Sequence, residues 1–381
     1  MSKLYSEEHL IFQESVRRFA EKELLPNIDA WEEARDYPSD IFKKMGDQGF
    51  LGILVPEEFG GVGGDYILAG AWCEEFGRVP SVGFTVGVNM HSLVVSAALA
   101  KLGTKEAKEK FLEKAVAGEA IGAYAFTEPG AGSDLSRITT TAVKDGDDYI
   151  LNGAKTFITN GARADFILVL TKTDPDAGYK GFTTFVVDTK APGFNVSRKL
   201  SKLGWHASDT AELSFEDVRV PANMRLGEIN TGWHSAMSSL NWERMMLTLT
   251  ALGGARKCLE DTLTYIGDRK VFGRSISGFD YTKETIARYW SKLEASEAYC
   301  HKILADLIAG KDSVRESALA KYFVCTMAIE AADACLQLHG GYGYTTEFSP
   351  ERWLRDLRLN TIGGGTNEIM LTIAAKSLSV C

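Results

Sequence analysis

The hydrophobic repeat of the chain changes twice, and this change restricts the possible folds more than any other feature. Up to about residue 122, apolar residues recur every three or four positions, as in "EEHLIFQESVRRFAEKELLP", which predicts amphipathic helices. Between residues 123 and 231, short β-branched and aromatic runs such as "DFILVLTKT" alternate with Gly, Asp, Asn and Pro turns, which predicts strands. From residue 232 onward, long helical patterns return.

These patterns predict an α+β fold with three parts. They are a helical N-terminal domain over residues 1–122, a middle antiparallel β domain over residues 123–231 and a C-terminal helical domain over residues 232–381. A chain of 381 residues is long enough for two or three hydrophobic cores. Because no internal repeat or low-complexity linker separates the parts, we expect them to pack into one unit.

Charge and cysteine usage exclude several function classes. The formal net charge is −9 and no Lys/Arg-rich run occurs, which argues against nucleic-acid binding. The six cysteines form no CxxC pair, so we expect neither a disulfide framework nor a metal site. The sequence shows no secretory signal and no apolar run of membrane-spanning length, so we expect a cytoplasmic protein without membrane insertion.

Glycine-rich segments carry the strongest hints of a ligand site. In "YAFTEPGAGSD", residues 124–134, glycines directly after a strand-like run suggest backbone N–H groups that face an anionic or heteroatom-rich ligand. A tight surface turn explains the same residues. The segment lacks the third glycine of the dinucleotide fingerprint and no βαβ unit follows, so it does not predict a Rossmann fold.

Four further segments are ambiguous when each is considered alone. They are "NGAKTFITNG" (152–161), "DRKVFGRSI" (268–276), "LQLHGGYGY" (336–344) and "TIGGGTNEIM" (361–370). A half-buried strand, charges at a helix end, a helix C-cap and a helix start explain them equally well.

In their order and separation, however, these segments resemble the acyl-CoA dehydrogenase family over essentially the whole chain. "FTEPGAGSD" and "LHGGYGY…RDLRL…GGTNEI" are similar to its two signature regions, and "KTFITNG", "FEDVRVP" and "RKVFGRSI" match in type and spacing. The resemblance implies an enzyme with a C-terminal four-helix bundle, bound FAD and a homotetramer built as a dimer of dimers. It also implies an acyl-CoA substrate in fatty acid or carboxylic acid degradation, and electron-transfer flavoprotein or a similar electron acceptor.

The resemblance assigns contacts by position. Residues implied to line the flavin and the thioester are Tyr124, Phe126, Thr127, Gly132 and Ser133, with Phe157, Ile158 and Thr159 on the other flank. Residues implied to contact the adenosine and pyrophosphate half of an FAD held by the neighbouring subunit are Arg269, Phe272, Gln337, Gly340 and Gly341. Thr366 and Glu368 are implied to hold that end of the cofactor within their own subunit. Asp280 departs from the family pattern, which often has glutamine at this cofactor contact.

The usual catalytic base of the family is missing. Many relatives have a glutamate two residues before the threonine of the glycine loop, where this chain has Gly364. A second family location, used by relatives similar to isovaleryl- and long-chain acyl-CoA dehydrogenases, corresponds to Glu243, which precedes Arg244 in "SLNWERMML". We therefore expect Glu243 to take the α-proton and the Gly364 N–H to polarise the thioester carbonyl. Asn241, Arg244 and Ser133 are expected on the substrate side.

The expected reaction is FAD-dependent α,β-dehydrogenation of an acyl-CoA thioester to the 2-enoyl-CoA. Alternatives on the same fold are a flavin oxidase or monooxygenase, and an enoyl-CoA reductase in the physiological direction. A flavin-free helical interaction protein is the alternative from another class. His91 and His339 are interpreted as structural rather than catalytic.

Overall fold

The N-terminal domain is helical, as the sequence predicts. The computed structural model describes residues 4–378. The α-helices of this domain are α1 (Glu7–Phe19), α2 (Ile28–Ala34), α3 (Asp40–Asp47), α4 (Tyr66–Phe76), α5 (Val82–Asn89), α6 (Ala97–Leu102) and α7 (Lys105–Val116). Asp65 caps α4, because its Oδ1 accepts the backbone N–H groups of Ile67 and Leu68 at 2.8 and 2.9 Å. Such a cap stabilises a helix by about 1 kcal/mol.

Helices α5 and α6 are joined by the π-helical segment Met90–Ser96, which makes one continuous apolar helix over Val82–Leu102. Its length of 21 residues and mean hydropathy of 1.5 are sufficient to cross a membrane, so the sequence-based statement that no run is long enough was wrong. In this protein 89% of the apolar window is buried against the other helices and the sheet. Burial of that extent is typical of the core helix of a globular protein.

The middle domain is a sheet built from short strands. Its strands are β1 (Gly122–Ala125), β2 (Thr141–Asp145), β3 (Asp148–Thr159), β4 (Phe166–Lys172), β5 (Phe182–Asp188), β6 (Phe194–Lys199), β7 (Thr210–Pro221) and β8 (Arg225–Leu226). The order across the sheet is β6-β7-β3-β2-β4-β5-β8, and β1 pairs with β4.

Most ladders are antiparallel, but β4 makes parallel pairs with β1 and, at Lys172, with the first residue of β2. The sheet is therefore mixed at β4. A parallel pair needs a long connection, and the loop and hairpin between β1 and β4 supply it. Strand β1 also packs against the helical segment Met90–Ser96, so the loop after Ala125 leaves the sheet beside the N-terminal domain.

The C-terminal domain returns to long helices. They are α8 (Gly232–Asp268), α9 (Asp280–Ile308), α10 (Val314–His339), α11 (Pro350–Leu357) and α12 (Asn367–Ser377), and the hairpin of β9 (Lys270–Val271) and β10 (Arg274–Ser275) joins α8 to α9. Helix α8 has 37 residues, about 55 Å at 1.5 Å per residue, and packs against α10 and against α4 of the N-terminal domain.

Asp356 joins the three domains at one point. Its carboxylate accepts the backbone N–H of Val82 at 3.0 Å and that of Trp205 at 2.6 Å. The side chain is fully buried, and burial together with the nearby charge of Glu32 raises its pKa to about 7. These hydrogen bonds hold α5, the middle domain and α11 together at the point where the three domains meet.

Candidate active site

A cavity of about 540 Å³ lies where the three domains meet. The β1 end, the β3 end, helix α8 and the loop before α12 all contribute to its lining. Residues implied by the family resemblance that line it are Tyr124, Phe126, Thr127, Gly132, Ser133, Phe157, Ile158, Thr159, Glu243, Gly364 and Thr366. The structure therefore brings together segments that are ambiguous alone and far apart in the sequence.

The loop after β1 is held in place by a buried ion pair. Lys155, on β3, donates to Glu128 at 3.0 Å and to the backbone oxygens of Phe126 and Leu170 at 3.0 and 2.7 Å. The Glu128 carboxylate also accepts the backbone N–H groups of residues 139 and 140. Burial lowers the pKa of Lys155 to about 8 despite its partner. Because Phe126 and Glu128 lie on the loop whereas Leu170 lies on β4, the Lys155 ammonium joins the loop to the sheet.

The opposite flank of the cavity is made by the end of β3. The β3–β7 ladder shifts register between Lys155 and Ile158, and Phe157 has a φ of 60° within this irregularity. A bulge re-aims the side chain at that position. As a result Phe157 is 68% exposed and faces the cavity instead of the core.

Glu243 lies on the face of α8 that borders the cavity. Leu247, one turn later on the same face, also lines the cavity, whereas Met245 and Met246 are fully buried in the core. The Oε2 atom of Glu243 is inaccessible to water and has no hydrogen-bond partner among the described residues. Burial raises the pKa of Glu243 to about 7, although the charges of Arg244 and Lys321 oppose this rise. A carboxylate with these properties can act as a base near neutral pH.

The glycine loop before α12 faces Glu243. Gly364 has a φ of +65° and Gly365 a φ of +96°, values that favour glycine. A Cβ atom on Gly364 would lie 2.6 Å from Leu247 Cδ1 and 3.9 Å from Glu243 Oε1. Within residues 4–378 no hydrogen bond uses the N–H of Gly364. This N–H is therefore free to donate to a ligand beside Glu243.

Thr366 caps the N-terminus of helix α12, because its Oγ1 accepts the N–H of Ile369 at 3.3 Å. Glu368 is exposed in the first turn of that helix, where hydrogen bonding to its own backbone N–H and to Thr366 lowers its pKa. A side chain in this position stabilises the helix start. Glu368 does not line the main cavity, and its expected contact with the cofactor stays a prediction.

Asn241 and Arg244 lie beside the cavity without lining it. Arg244 is 8% exposed and donates from Nη1 to Asn241 Oδ1 at 3.2 Å, while its Nε has no partner among the described residues. Their expected substrate contact stays a prediction.

A second cavity, of about 440 Å³, lies at the end of α10. The resemblance-implied residues that line it are Arg269, Gln337, Gly340 and Gly341. Phe272 belongs to the adjacent β9–β10 hairpin, is 96% exposed and does not line this cavity. Asp280 is exposed and pairs with Lys283 at 3.1 Å, so its carboxylate bonds within its own helix. The expected contacts of these residues with a neighbouring subunit's cofactor stay predictions.

Other cavity-lining residues were not foreseen from the sequence. They include Val86, Met90, Lys202, Trp205, Leu247, Arg355 and Arg358. Trp205 is placed by Asp356, which accepts the Trp205 backbone N–H and whose backbone oxygen accepts the Trp205 Nε1–H at 2.9 Å. No local pattern reveals a contact between positions so far apart.

The two histidines considered in the sequence have backbone partners. His91 is fully buried, its Nε2 lies 3.0 Å from the oxygen of Ala115, and its Nδ1 accepts the N–H of Gly122 at 3.0 Å. Burial lowers the pKa of His91 to about 4. His339 Nδ1 lies 2.8 Å from the oxygen of Cys335. Both rings bond to backbone away from Glu243, as expected of structural histidines.

Comparison with known proteins agrees with the geometry. Models of the acyl-CoA dehydrogenase N-terminal, middle and C-terminal domains match residues 6–119, 123–218 and 230–379. The mitochondrial long-chain specific acyl-CoA dehydrogenase of Mus musculus is 38% identical over 99% of this chain and 87% of its own length. The crystal structure of an acyl-CoA dehydrogenase from Geobacillus kaustophilus superposes with a TM-score of 0.96 at 41% identity and covers 100% of both chains.

The chain belongs to the acyl-CoA dehydrogenase family. The predicted family, enzyme class and α+β fold are therefore confirmed. Two further relatives inform the function. The Caffeyl-CoA reductase-Etf complex subunit CarC of Acetobacterium woodii is 36% identical over 98% of this chain and 99% of its own. A glutaryl-CoA dehydrogenase structure from Mycobacterium smegmatis, in complex with FADH2, has a TM-score of 0.94 at 32% identity, with 99% and 96% covered.

The main cavity of this family member fits a flat ring with polar edges. The hydroxyls of Thr127, Ser133 and Thr159 supply hydrogen-bonding groups, and the ring of Phe157 supplies an apolar face. A Cβ atom on Gly132 would meet no atom within 4 Å, so the loop is open toward a ligand. This donor set suits the isoalloxazine ring of a flavin.

Proposed function

We propose that the protein catalyses the FAD-dependent α,β-dehydrogenation of an acyl-CoA thioester to the 2-enoyl-CoA. The observation that carries this proposal is the Glu243 carboxylate, which lies in the cavity next to the glycine loop, lacks a partner for Oε2 and has a pKa of about 7. A base held in this way, close to an unused backbone donor, fits removal of a proton adjacent to a thioester carbonyl.

In the proposed reaction the Cα–H bond breaks and its proton passes to Glu243, while the Cβ–H bond breaks with its electron pair and a Cα–Cβ double bond forms. A bound flavin supplies the acceptor for the hydride. The free N–H of Gly364 donates to the thioester oxygen as negative charge develops there. The rigid position of α8, set by its buried face, keeps Glu243 at the α-carbon.

The flavin end of the cofactor is proposed to be held by Tyr124, Phe126, Thr127, Gly132, Ser133, Phe157, Ile158 and Thr159. Thr366 and Glu368 are proposed to hold its adenosine and pyrophosphate end within their own subunit. In the proposed homotetramer, the adenosine end of a cofactor held by the neighbouring subunit is bound by Arg269, Phe272, Gln337, Gly340 and Gly341. Electron-transfer flavoprotein is the proposed acceptor, supported by the Etf complex of the Acetobacterium woodii relative. The cytoplasmic location stays a sequence-based prediction.

The test is Glu243→Gln in the flavin-loaded enzyme. The amide keeps the size of the side chain but cannot take a proton at neutral pH, so we expect bound flavin to remain yellow. Acyl-CoA-driven bleaching of the flavin should slow by about 10³-fold, in the range of a lost general base. Glu260→Gln is the matched control on the same helix, because Glu260 pairs with Arg78 away from the cavity. Unchanged bleaching by Glu243→Gln contradicts the proposal.

A second candidate is the reverse reaction, reduction of a 2-enoyl-CoA, and the caffeyl-CoA reductase relative favours it. Glu243 would then donate the α-proton from its protonated form. Turnover measured with acyl-CoA and an oxidised dye, and with enoyl-CoA and a reduced dye, distinguishes the two directions. Peroxide formation in the same assay would indicate an oxidase.

A further inference from the structure

A buried lysine lies under the glycine loop and has no role in the reaction described so far. Lys321, on α10, is fully buried and its Nζ donates to the backbone oxygens of Asn360 and Gly365 at 2.9 and 2.7 Å. These two carbonyls bracket the loop that carries Gly364. A Cβ atom on Gly364 would lie 3.5 Å from Lys321 Cε, so the lysine stem passes directly beneath that residue.

The partners of Lys321 are unusual for a buried ammonium group. Burying a charge without an ion pair is costly, so buried lysines are normally paired with a carboxylate. Among residues 4–378, no carboxylate lies within ion-pair distance of Lys321. The positive charge of Lys321 acts on the Glu243 carboxylate and lowers its pKa. Two interactions therefore account for a buried lysine at this position: its hydrogen bonds to the glycine loop and its charge near Glu243.

We propose that Lys321 is a positioning residue of the reaction. Its two hydrogen bonds fix both ends of residues 361–364, so that the Gly364 N–H points to the thioester oxygen. Its charge keeps Glu243 in the carboxylate form at lower pH than burial alone would allow. The proposal rests on the proposed function and extends it to a residue outside the cavity lining.

Other charged groups face Glu243 and must be held constant in a test. Arg244, from α8 itself, also lowers the pKa of Glu243, and burial together with the Glu243 charge raises the pKa of Tyr124 on β1. Substitution of Lys321 alone removes the contribution from α10 and leaves these two in place.

The first measurement is the pH profile of kcat/KM for Lys321→Met in the flavin-loaded enzyme. Glu243 must be deprotonated to act, so activity rises with pH through its pKa. Loss of the lysine charge should move this rising limb upward by about one pH unit. The plateau kcat should fall about tenfold, because the loop donor is displaced rather than removed.

The second measurement is deuterium uptake of the peptide that spans residues 358–366, which does not depend on activity. Uptake should be faster in Lys321→Met than in the wild type. Lys321→Arg keeps the positive charge, so kcat/KM should still rise at the wild-type pH, whereas kcat should fall because the hydrogen bonds to the loop change. This variant replaces Lys321→Met in both measurements if the Met variant fails to fold.

Two controls on α10 separate positioning from general stability. Ser317→Ala removes a buried hydroxyl one turn before Lys321, and this hydroxyl has no hydrogen-bond partner among the described residues. Val324→Ala opens a small cavity in the core on the same helix. Both should keep the wild-type pH limb and loop uptake, even where the melting temperature falls.

The proposal is overturned if folded Lys321→Met shows the rise of kcat/KM at the wild-type pH, or wild-type deuterium uptake in residues 358–366. It is also overturned if the rise of kcat/KM moves to another pH in Lys321→Arg. Failure of the proposed function is a separate result, because it requires that Glu243→Gln keeps full activity.

Discussion

The Oε1 atom of Glu243 lies 3.9 Å from the position that a Cβ atom would take on Gly364. One position belongs to a long helix and the other to a loop near the C-terminus, yet both reach the same volume of the cavity. A carboxylate on a side chain at position 243 or at position 364 would therefore reach the same substrate carbon. The geometry therefore explains why a glycine at the loop position is compatible with a base on α8.

The first prediction is that the base can be moved. A side chain at position 364 meets Leu247 Cδ1 at 2.6 Å and must adopt a φ of +65°, which costs about 1–2 kcal/mol. We expect Glu243→Gly to be inactive, and Glu243→Gly/Gly364→Glu/Leu247→Val to recover at least about tenfold in flavin reduction by acyl-CoA, the effect of a positioned base. Valine at position 247 removes the colliding Cδ atoms.

The double variant with Leu247 intact is the control for this experiment. It should recover less activity, because the new glutamate is forced out of position. A triple variant that binds flavin but stays as inactive as Glu243→Gly would show that the two positions are not equivalent.

The second prediction concerns stability and follows from the raised pKa of Glu243. The folded protein holds this proton up to about pH 7, whereas the unfolded chain releases it near its ordinary value of 4.5. Folding stability from this group is therefore present below about pH 4.5 and is lost as pH rises to about 7. The loss amounts to roughly 3 kcal/mol at alkaline pH.

Glu243→Gln lacks this titration, so its free energy of unfolding should exceed that of the wild type by up to about 3 kcal/mol at pH 8.5. The difference should shrink toward zero at pH 4.5. Urea unfolding at the two pH values measures it. Equal stability of the two proteins at pH 8.5 would mean that the Glu243 carboxylate is not destabilised by burial.

The sequence predicts the domains better than the site. Hydrophobic period distinguishes helical from strand segments locally, so the change of period indicated all three domains. Glu243 was found because the family resemblance left Gly364 without a carboxylate and supplied a second location. Lys321 was missed since a lysine within a helix is usually exposed, and only the packing of α10 beneath the loop shows that it is buried. Trp205 was missed because its position depends on the distant Asp356.

The third prediction is that Lys155→Met destabilises the protein. The variant leaves Glu128, which is 4% exposed, as a buried charge without its cation, and it removes two hydrogen bonds to backbone oxygens. Breaking a buried pair from one side costs about 3–5 kcal/mol. Urea unfolding should show this loss, and the flavin content should fall because the loop of Thr127 and Ser133 is released. Lys144→Met, at an exposed position on β2, should change neither quantity.

The fourth prediction concerns the proposed homotetramer. Phe272 lies at the tip of the β9–β10 hairpin with a φ of 50° and a side chain that is 96% exposed. A fully exposed aromatic side chain next to the cavity of Arg269 and Gln337 is expected to be buried by a neighbouring subunit, because aromatic residues contribute large contact areas at interfaces. Phe272→Asp would place a charge in that contact.

We expect Phe272→Asp to lower the molar mass measured by light scattering from that of a tetramer and to reduce bound flavin per chain. Both should change together, because the cavity beside the hairpin is proposed to bind a cofactor held by the neighbouring subunit. Val143→Asp, which introduces the same charge at an exposed apolar position on β2, should keep the wild-type mass and flavin content. A Phe272→Asp protein with wild-type mass and flavin would place the subunit contact elsewhere.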